Sequence, residues 1–206
     1  MPTNIRITEI TALDDPLLLS WLDLYEMSFP PEEKVLISQH LRVLHQKSVG
    51  GDQDTHLLTA VDEHGALAGL MRYRFYRELS MGYLWYLAVD PEIRNSGVGS
   101  FCYKAAADMV KSDGADFMFF EVEEPELMET VETRNLARRR IGFYRRNGAR
   151  MLTGIDNWAQ AAPHQPFIRM HIMVHPFVEM SARDVFERLQ SLLGDSISKV
   201  GELGLE

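Results

Sequence analysis

The chain predicts an α/β (α+β) fold: a mixed, mostly antiparallel sheet of about seven strands flanked by helices, with an extra C-terminal helix. Three observations lead there. The strand-like runs HLLTAV, GALAGLMRYRFY and MGYLWYLAV follow one another closely, with DEHG (62–65) as the first turn, as in an antiparallel meander. A helical period then precedes FMFFEVE (117–123), a short apolar run typical of a strand covered on both faces. A second helical stretch leads to two more strand-like runs, so a β-α-β crossover joins the meander to an antiparallel pair.

Taken in order, NIRITEI alternates Ile5, Ile7 and Ile10 imperfectly with polar residues and reads as a first strand. The pattern from Pro16 to Met27 is helical. Pro31 suits the first turn of a new helix carrying Val35, Leu36, Leu41 and Leu44. GGDQD (50–54) is a loop. After DPEIRNSGVGS (90–100), Val98, Phe101, Ala105, Met109 and Val110 recur at helical spacing until SDGAD breaks the pattern. The stretch EPELMETVETRNLARRRIGFYRRNG enters a helix that ends at Gly148. ARMLT (149–153) and FIRMHIMV (167–174) read as strands, with DNWAQAAPHQP (156–166) an irregular loop between them. Val185, Phe186, Leu189, Leu192, Leu193 and Ile197 mark an amphipathic helix over 181–199. Its stripe suits packing on the core or on a second copy, as in a homodimer. No linker or repeat divides the chain, so 1–206 reads as one domain with its core over 4–175.

Composition narrows the function classes. With 21 Lys+Arg against 30 Asp+Glu, the net charge of -9 repels nucleic acid and anionic lipid. Cys102 is the only cysteine, which excludes an intrachain disulfide and fits a reducing, cytoplasmic compartment. MPTNIRITEI lacks the layout of a signal peptide, and no apolar run approaches the roughly 20 residues that span a bilayer. A cytoplasmic protein with neither nucleic-acid nor membrane partners is expected.

The segment from Val89-Asp90-Pro91 to Ser100 carries the strongest chemical signal. A helix opening at Gly97-Val98-Gly99 leaves N–H groups without internal partners, in a positive macrodipole field suited to phosphate. Arg94 adds a full charge, and Ser96 and Ser100 add hydroxyls. The pattern G-x-x-x-x-G-K-[ST] is absent, and G-x-G-x-x-G fails at Cys102. A plain, tight strand-to-helix turn uses the same glycines.

Context decides between these readings. Arg94-Asn-Ser-Gly97-Val-Gly99 after a strand ending V-x-P, then Phe143-Tyr144-Arg-Arg-Asn147-Gly148-Ala149 on a later helix, resembles the GNAT superfamily of N-acetyltransferases. The resemblance covers residues 4 to 175. It implies that Arg94, Asn95, Ser96, Gly97, Val98, Gly99 and Ser100 bind the pyrophosphate of acetyl-CoA. It also implies that Leu87, Ala88 and Val89, on a strand that splays from its parallel neighbour, pair with the pantetheine arm. Tyr144 matches the tyrosine that assists the leaving thiolate.

The base is open. Relatives often carry a glutamate on the strand before the glycine loop, but MGYLWYLAV has no acid. Glu121 and Glu123, two apart and so on one strand face, are candidates to bind a cationic amine or accept its proton through water. They also read as solvated charges leading into an acidic loop. Relatives often place an asparagine six residues before the tyrosine; here that position is Arg138. Arg138, Arg139, Arg140, Arg145 and Arg146 are expected to be mostly a solvated helix face, with some of them candidates to face the 3'-phosphate or pyrophosphate of CoA. Cys102 reads as a structural thiol. His171 and His175 lie four apart on a strand, so no metal is expected. Tyr83, Trp85 and Tyr86 suit a substrate cleft wall or, as is usual for strand aromatics, the core, and Trp21, Tyr25, Phe29 and Trp158 lie where the resemblance places the acceptor pocket. The expected activity is acetyl transfer from acetyl-CoA to a small primary amine by direct attack in a ternary complex. A protein or peptide acceptor, suited to the acidic EVEEPELMETVE, and a non-catalytic acyl-CoA sensor are the alternatives.

Overall fold

The computed structural model describes residues 4–162 and 165–206. β1 (Arg6–Ile10), β2 (Thr55–Val61), β3 (Leu67–Tyr76) and β4 (Met81–Val89) form the expected antiparallel meander. α1 (Leu18–Ser28) and α2 (Ile37–Ser48) are inserted between its first two strands. α3 (Val98–Ser112) then crosses to β5 (Phe117–Glu123), a parallel partner of β4. α4 (Val131–Arg146) leads to the antiparallel pair β6 (Arg150–Ala159) and β7 (Ile168–Pro176). The chain closes with α5 (Ala182–Leu193) and β8 (Ile197–Leu205). In space the eight strands run β1-β2-β3-β4-β5-β7-β6-β8.

Several local expectations need correction. Pro31 opens only one 3₁₀ turn, Pro31–Glu33, and α2 begins at Ile37. Phe101 points outward at 39% exposure, and the buried stripe of α3 is Val98, Cys102, Tyr103, Ala106 and Val110. β6 extends through Ala159, so the first residues of the expected irregular loop are strand; residues 163 and 164 of that loop lie outside the described residues. The C-terminal helix ends at Leu193, because Gly194 leaves the helical conformation with φ 57. Ile197 therefore starts an eighth strand on the free edge of β6 rather than continuing a helix. The extension over 181–199 is a helix followed by a strand.

Apolar side chains from both faces of the sheet build the core. On one face α3 and α4 bury Val98, Tyr103, Val110 and Tyr144 against Leu84, Met118 and Phe120. On the other, α1 and α2 bury Trp21, Tyr25 and Leu44 against Leu57, Leu70 and Tyr86. α5 shares that second face, with Val185, Phe186 and Leu189 against Phe117, Phe119 and Ile172. The apolar stripe of α5 is thus covered by its own sheet. Buried hydrogen bonds fix the seams, as where the Trp21 indole N–H donates to the Leu58 carbonyl at 3.0 Å. No helix among the described residues is long and apolar enough to cross a membrane.

Candidate active site

The sheet opens in its middle. β4 and β5 pair only where Met81, Gly82 and Tyr83 meet Phe117, Met118 and Phe119, and beyond that point they diverge. The segment Leu84–Val89 keeps its hydrogen bonds to β3 on one side and presents unpaired backbone groups to the gap on the other. A β-bulge sharpens the bend: Arg72 pairs with Tyr86 and Tyr73 with Leu84, leaving Trp85 extra. Trp85 and Tyr86 consequently both reach the α1–α2 side. A cleft of about 1180 Å³ runs through the gap and is lined from both faces.

On the α3–α4 face lies the glycine loop. Asn95 (φ 65) and Gly97 (φ 94) adopt left-handed conformations, and Gly97 caps α3. The N–H groups of Val98, Gly99 and Ser100 occupy the first turn and have no intrahelical acceptor. Arg94 Nε donates to the Val89 carbonyl at 3.2 Å, which ties the loop to the strand end. Ser96 donates to the Ile93 carbonyl at 2.6 Å, and Ser100 Oγ accepts from the Asn147 amide at 3.3 Å. Leu87, Ala88, Val89, Arg94, Asn95 and Gly99 line the cleft, whereas Val98 is buried in the core. Arg138, Arg139, Arg140, Arg145 and Arg146 are all exposed, as expected of a solvated helix face, and Arg139, Arg140 and Arg146 also border the cleft.

Tyr144 enters the same cleft between Phe120 and Tyr103, with ring centroids 4.3 and 5.3 Å away. Burial pushes its hydroxyl up to about 12, with Arg140 opposing and Glu123 adding to the shift. The phenol stays protonated at neutral pH and keeps its O–H as a donor.

Carboxylates gather on the opposite face. Glu123 forms an ion pair with Arg140, and Glu121 accepts from the Tyr83 hydroxyl at 2.5 Å and the Asn157 amide at 2.8 Å. Glu33, at the end of the 3₁₀ turn, lines the cleft beside them. Burial pushes the Glu33 carboxyl up to about 7 from its usual 4.5; Glu123 reinforces this, Arg140 opposes it, and Glu32 and Glu121 add smaller repulsions. The Tyr86 hydroxyl donates to the Glu33 carbonyl at 3.0 Å and holds the turn against β4. Phe29, Trp85, Trp158 and Phe167 complete this wall. Trp85 is held by the buried Arg72 guanidinium, 4.1 Å from its ring, which in turn donates to His40 Nδ1 at 3.1 Å. Burial, with Arg72 adding, lowers His40 to about 3, so the imidazole is a neutral acceptor.

The GNAT acetyltransferase family model matches residues 18–149, which contain both the glycine loop and Tyr144. The chain belongs to the GNAT family. Among solved structures, a protein assigned to the GNAT acetyltransferases from Bacteroides thetaiotaomicron is 23% identical, covers 91% of this chain and 95% of its own, and gives a TM-score of 0.73. A Bacillus subtilis acetyltransferase in complex with CoA is 15% identical, with coverage of 85% and 100% and a TM-score of 0.57. An IAA acetyltransferase from Bacillus cereus is 14% identical, with coverage of 84% and 100% and a TM-score of 0.55. At these identities the likeness concerns the fold. No curated protein sequence matches the chain significantly.

GNAT enzymes use acetyl-CoA, and this cleft suits it: unpaired first-turn amides, Arg94 and the arginines bordering the cleft offer phosphate contacts, and the open edge of β4 offers an extended partner. The other sequence candidates lie elsewhere. Cys102 is buried, and desolvation pushes its thiol up to about 12, which removes it as a nucleophile. His175 meets the Tyr103 hydroxyl at 2.9 Å and His171 faces Glu124; no metal-binding cluster occurs among the described residues. Sequence reasoning missed Glu33, Arg72 and Asn157. A one-turn PPEE signal, a basic residue inside an apolar strand and an asparagine in a presumed loop carry no motif that singles them out.

Proposed function

We propose that this GNAT enzyme acetylates a small primary amine by direct attack in a ternary complex, with Glu33 as general base. One observation carries the reading. A single opening in the sheet joins Tyr144 on one face to a free, proton-accepting carboxyl on the other. Acetyl-CoA supplies the activated acetyl thioester, and Arg94, Asn95, Gly97, Val98, Gly99 and Ser100, with the edge Leu87–Val89, are the groups offered to hold it. Ser96 contributes its backbone rather than its hydroxyl, which is already engaged.

An alkylammonium of pKa about 10.4 must lose a proton before it attacks. Against an ordinary carboxylate near 4.5 that transfer is uphill by roughly 6 pKa units, and against Glu33 near 7 by roughly 3.4. The shift therefore lowers the barrier contribution by about 3 kcal/mol, provided the carboxyl is ionised. Glu123 is engaged by Arg140, and Glu121 is engaged by Tyr83 and Asn157, so Glu33 is the better base. After attack, Tyr144 donates a hydrogen bond to the departing sulfur.

Initial rates of acetyl-CoA consumption over an amine panel test the proposal. With the best amine, kcat/KM is expected to fall about tenfold per pH unit below an apparent pKa near 7, because protonation removes the base. Glu33→Gln should lower kcat/KM by roughly 100-fold and abolish that limb. An unchanged pH profile in the variant rules out Glu33, and label transferred to proteins rather than to amines rules out the small acceptor.

A further inference from the structure

A smaller pocket, of about 220 Å³, lies behind Trp85 between α2 and the sheet. Gln39, Arg42, Val43 and Gln46 line it from one face of α2, at helical spacings of three and four. Asp52, from the loop after α2, and Arg72, from β3, close it. We propose that this pocket is an anion site, separate from the glycine loop, which takes a small oxyanion such as inorganic phosphate.

Arg72 is the unusual member. It is 3% exposed, and Leu70, on the same face of β3, packs into an apolar cluster with Leu44 and Leu57. Burial lowers its guanidinium to about 10, with Tyr86, Tyr25 and Asp52 opposing, so it carries its charge at neutral pH. A buried cation is costly without a counter-charge, yet Arg72 has no ion-pair partner among the described residues. Nη1 donates to the neutral His40 at 3.1 Å, and the flat face stacks on Trp85. Nε is enclosed without a partner, where no ligand can reach it. Nη2 differs. It also lacks an acceptor among the described residues, but it is not enclosed. A terminal nitrogen with both protons free, at the wall of a pocket, suits an oxyanion.

Asp52 borders the same pocket, but both its oxygens are engaged. Oδ1 accepts from the backbone N–H groups of Asp54 and Thr55, each at 3.1 Å. Oδ2 accepts from the Thr55 hydroxyl at 2.8 Å and from Arg74 at 2.9 Å. Arg74 is therefore the cation that Asp52 neutralises. Arg42 is exposed on α2 and has no ion-pair or hydrogen-bond partner among the described residues. Two uncompensated guanidinium groups thus share one small pocket in a chain of net charge -9. The side-chain amides of Gln39 and Gln46 offer neutral donors beside them. The volume admits a small ion with its waters, whereas drug-sized ligands need about 300 Å³ or more.

Calorimetric titration of inorganic phosphate tests the proposal, at constant ionic strength and with CoA saturating so that the glycine loop is filled. A single saturable site is expected. Arg42→Gln and Gln46→Glu lie on the exposed side of α2 and leave the buried guanidinium in place; each should weaken binding on the order of tenfold. Acetate, titrated in parallel, distinguishes the sources of the oxyanion: tighter binding of phosphate marks a phosphate site, and tighter binding of acetate a carboxylate site. Absence of saturable binding of either ion overturns the proposal, as does binding that neither substitution alters.

Discussion

Tyr144 has a hydroxyl whose surroundings allow it one protonation state. At about 12 it is a far weaker acid than a thiol near 8.5, so full proton transfer to a departing thiolate is uphill, and a hydrogen bond is what it can give. Tyr144→Phe keeps the ring that packs on Phe120 and removes that bond. Steady-state kinetics should show kcat lowered tenfold to roughly 100-fold with KM for acetyl-CoA little changed; unchanged kcat would dismiss the role. Tyr144 was legible because its neighbours form a motif, FYRRNGA. Glu33 was not, because its character arises from burial and from Glu123 and Arg140, far away in the chain. A composition or a spacing records neither.

Among elements, the strands of the meander and the crossover to β5 were readable from period and turn residues. The parting of β4 and β5 was expected only through the family resemblance, and the register, which ends at Tyr83 and Phe119, agrees with it. β8 escaped notice because ISKVGELGL has little apolar alternation and two glycines, and its strand character comes from the edge it completes. Its seam depends on Gly154, which has φ 79 and an added Cβ would stand 2.1 Å from the Glu202 carbonyl oxygen. Gly154→Ala must therefore strain the backbone and push β8 away, at about 1–3 kcal/mol. Thermal unfolding should report a Tm lower by roughly 4–8 °C for a loss near 2 kcal/mol, with activity at low temperature retained. An unchanged Tm would mean that β8 contributes nothing to the folded state.

For the molecule as a whole, a net charge of -9 opposes an anionic donor, while Arg94, Arg139 and Arg146 at the cleft offer it local positive charge. The two effects respond to salt with opposite signs. At 0.1 M salt the screening length is about 10 Å, so contacts at the arginines weaken as salt rises and the KM for acetyl-CoA should increase. A KM that falls with salt would show that overall repulsion dominates. The charge total was plain from the sequence, but that the exposed Arg139, Arg140 and Arg146 border the cleft on one side and Glu33, Glu121 and Glu123 on the other required the folded arrangement.

The opening between β4 and β5 makes the sheet a partition with one window. Two chambers, walled by different helices, share only the frame around it. Substitutions in α1, α2 or the β6–β7 connection can reshape one chamber while the other, built by α3 and α4, stays as it is.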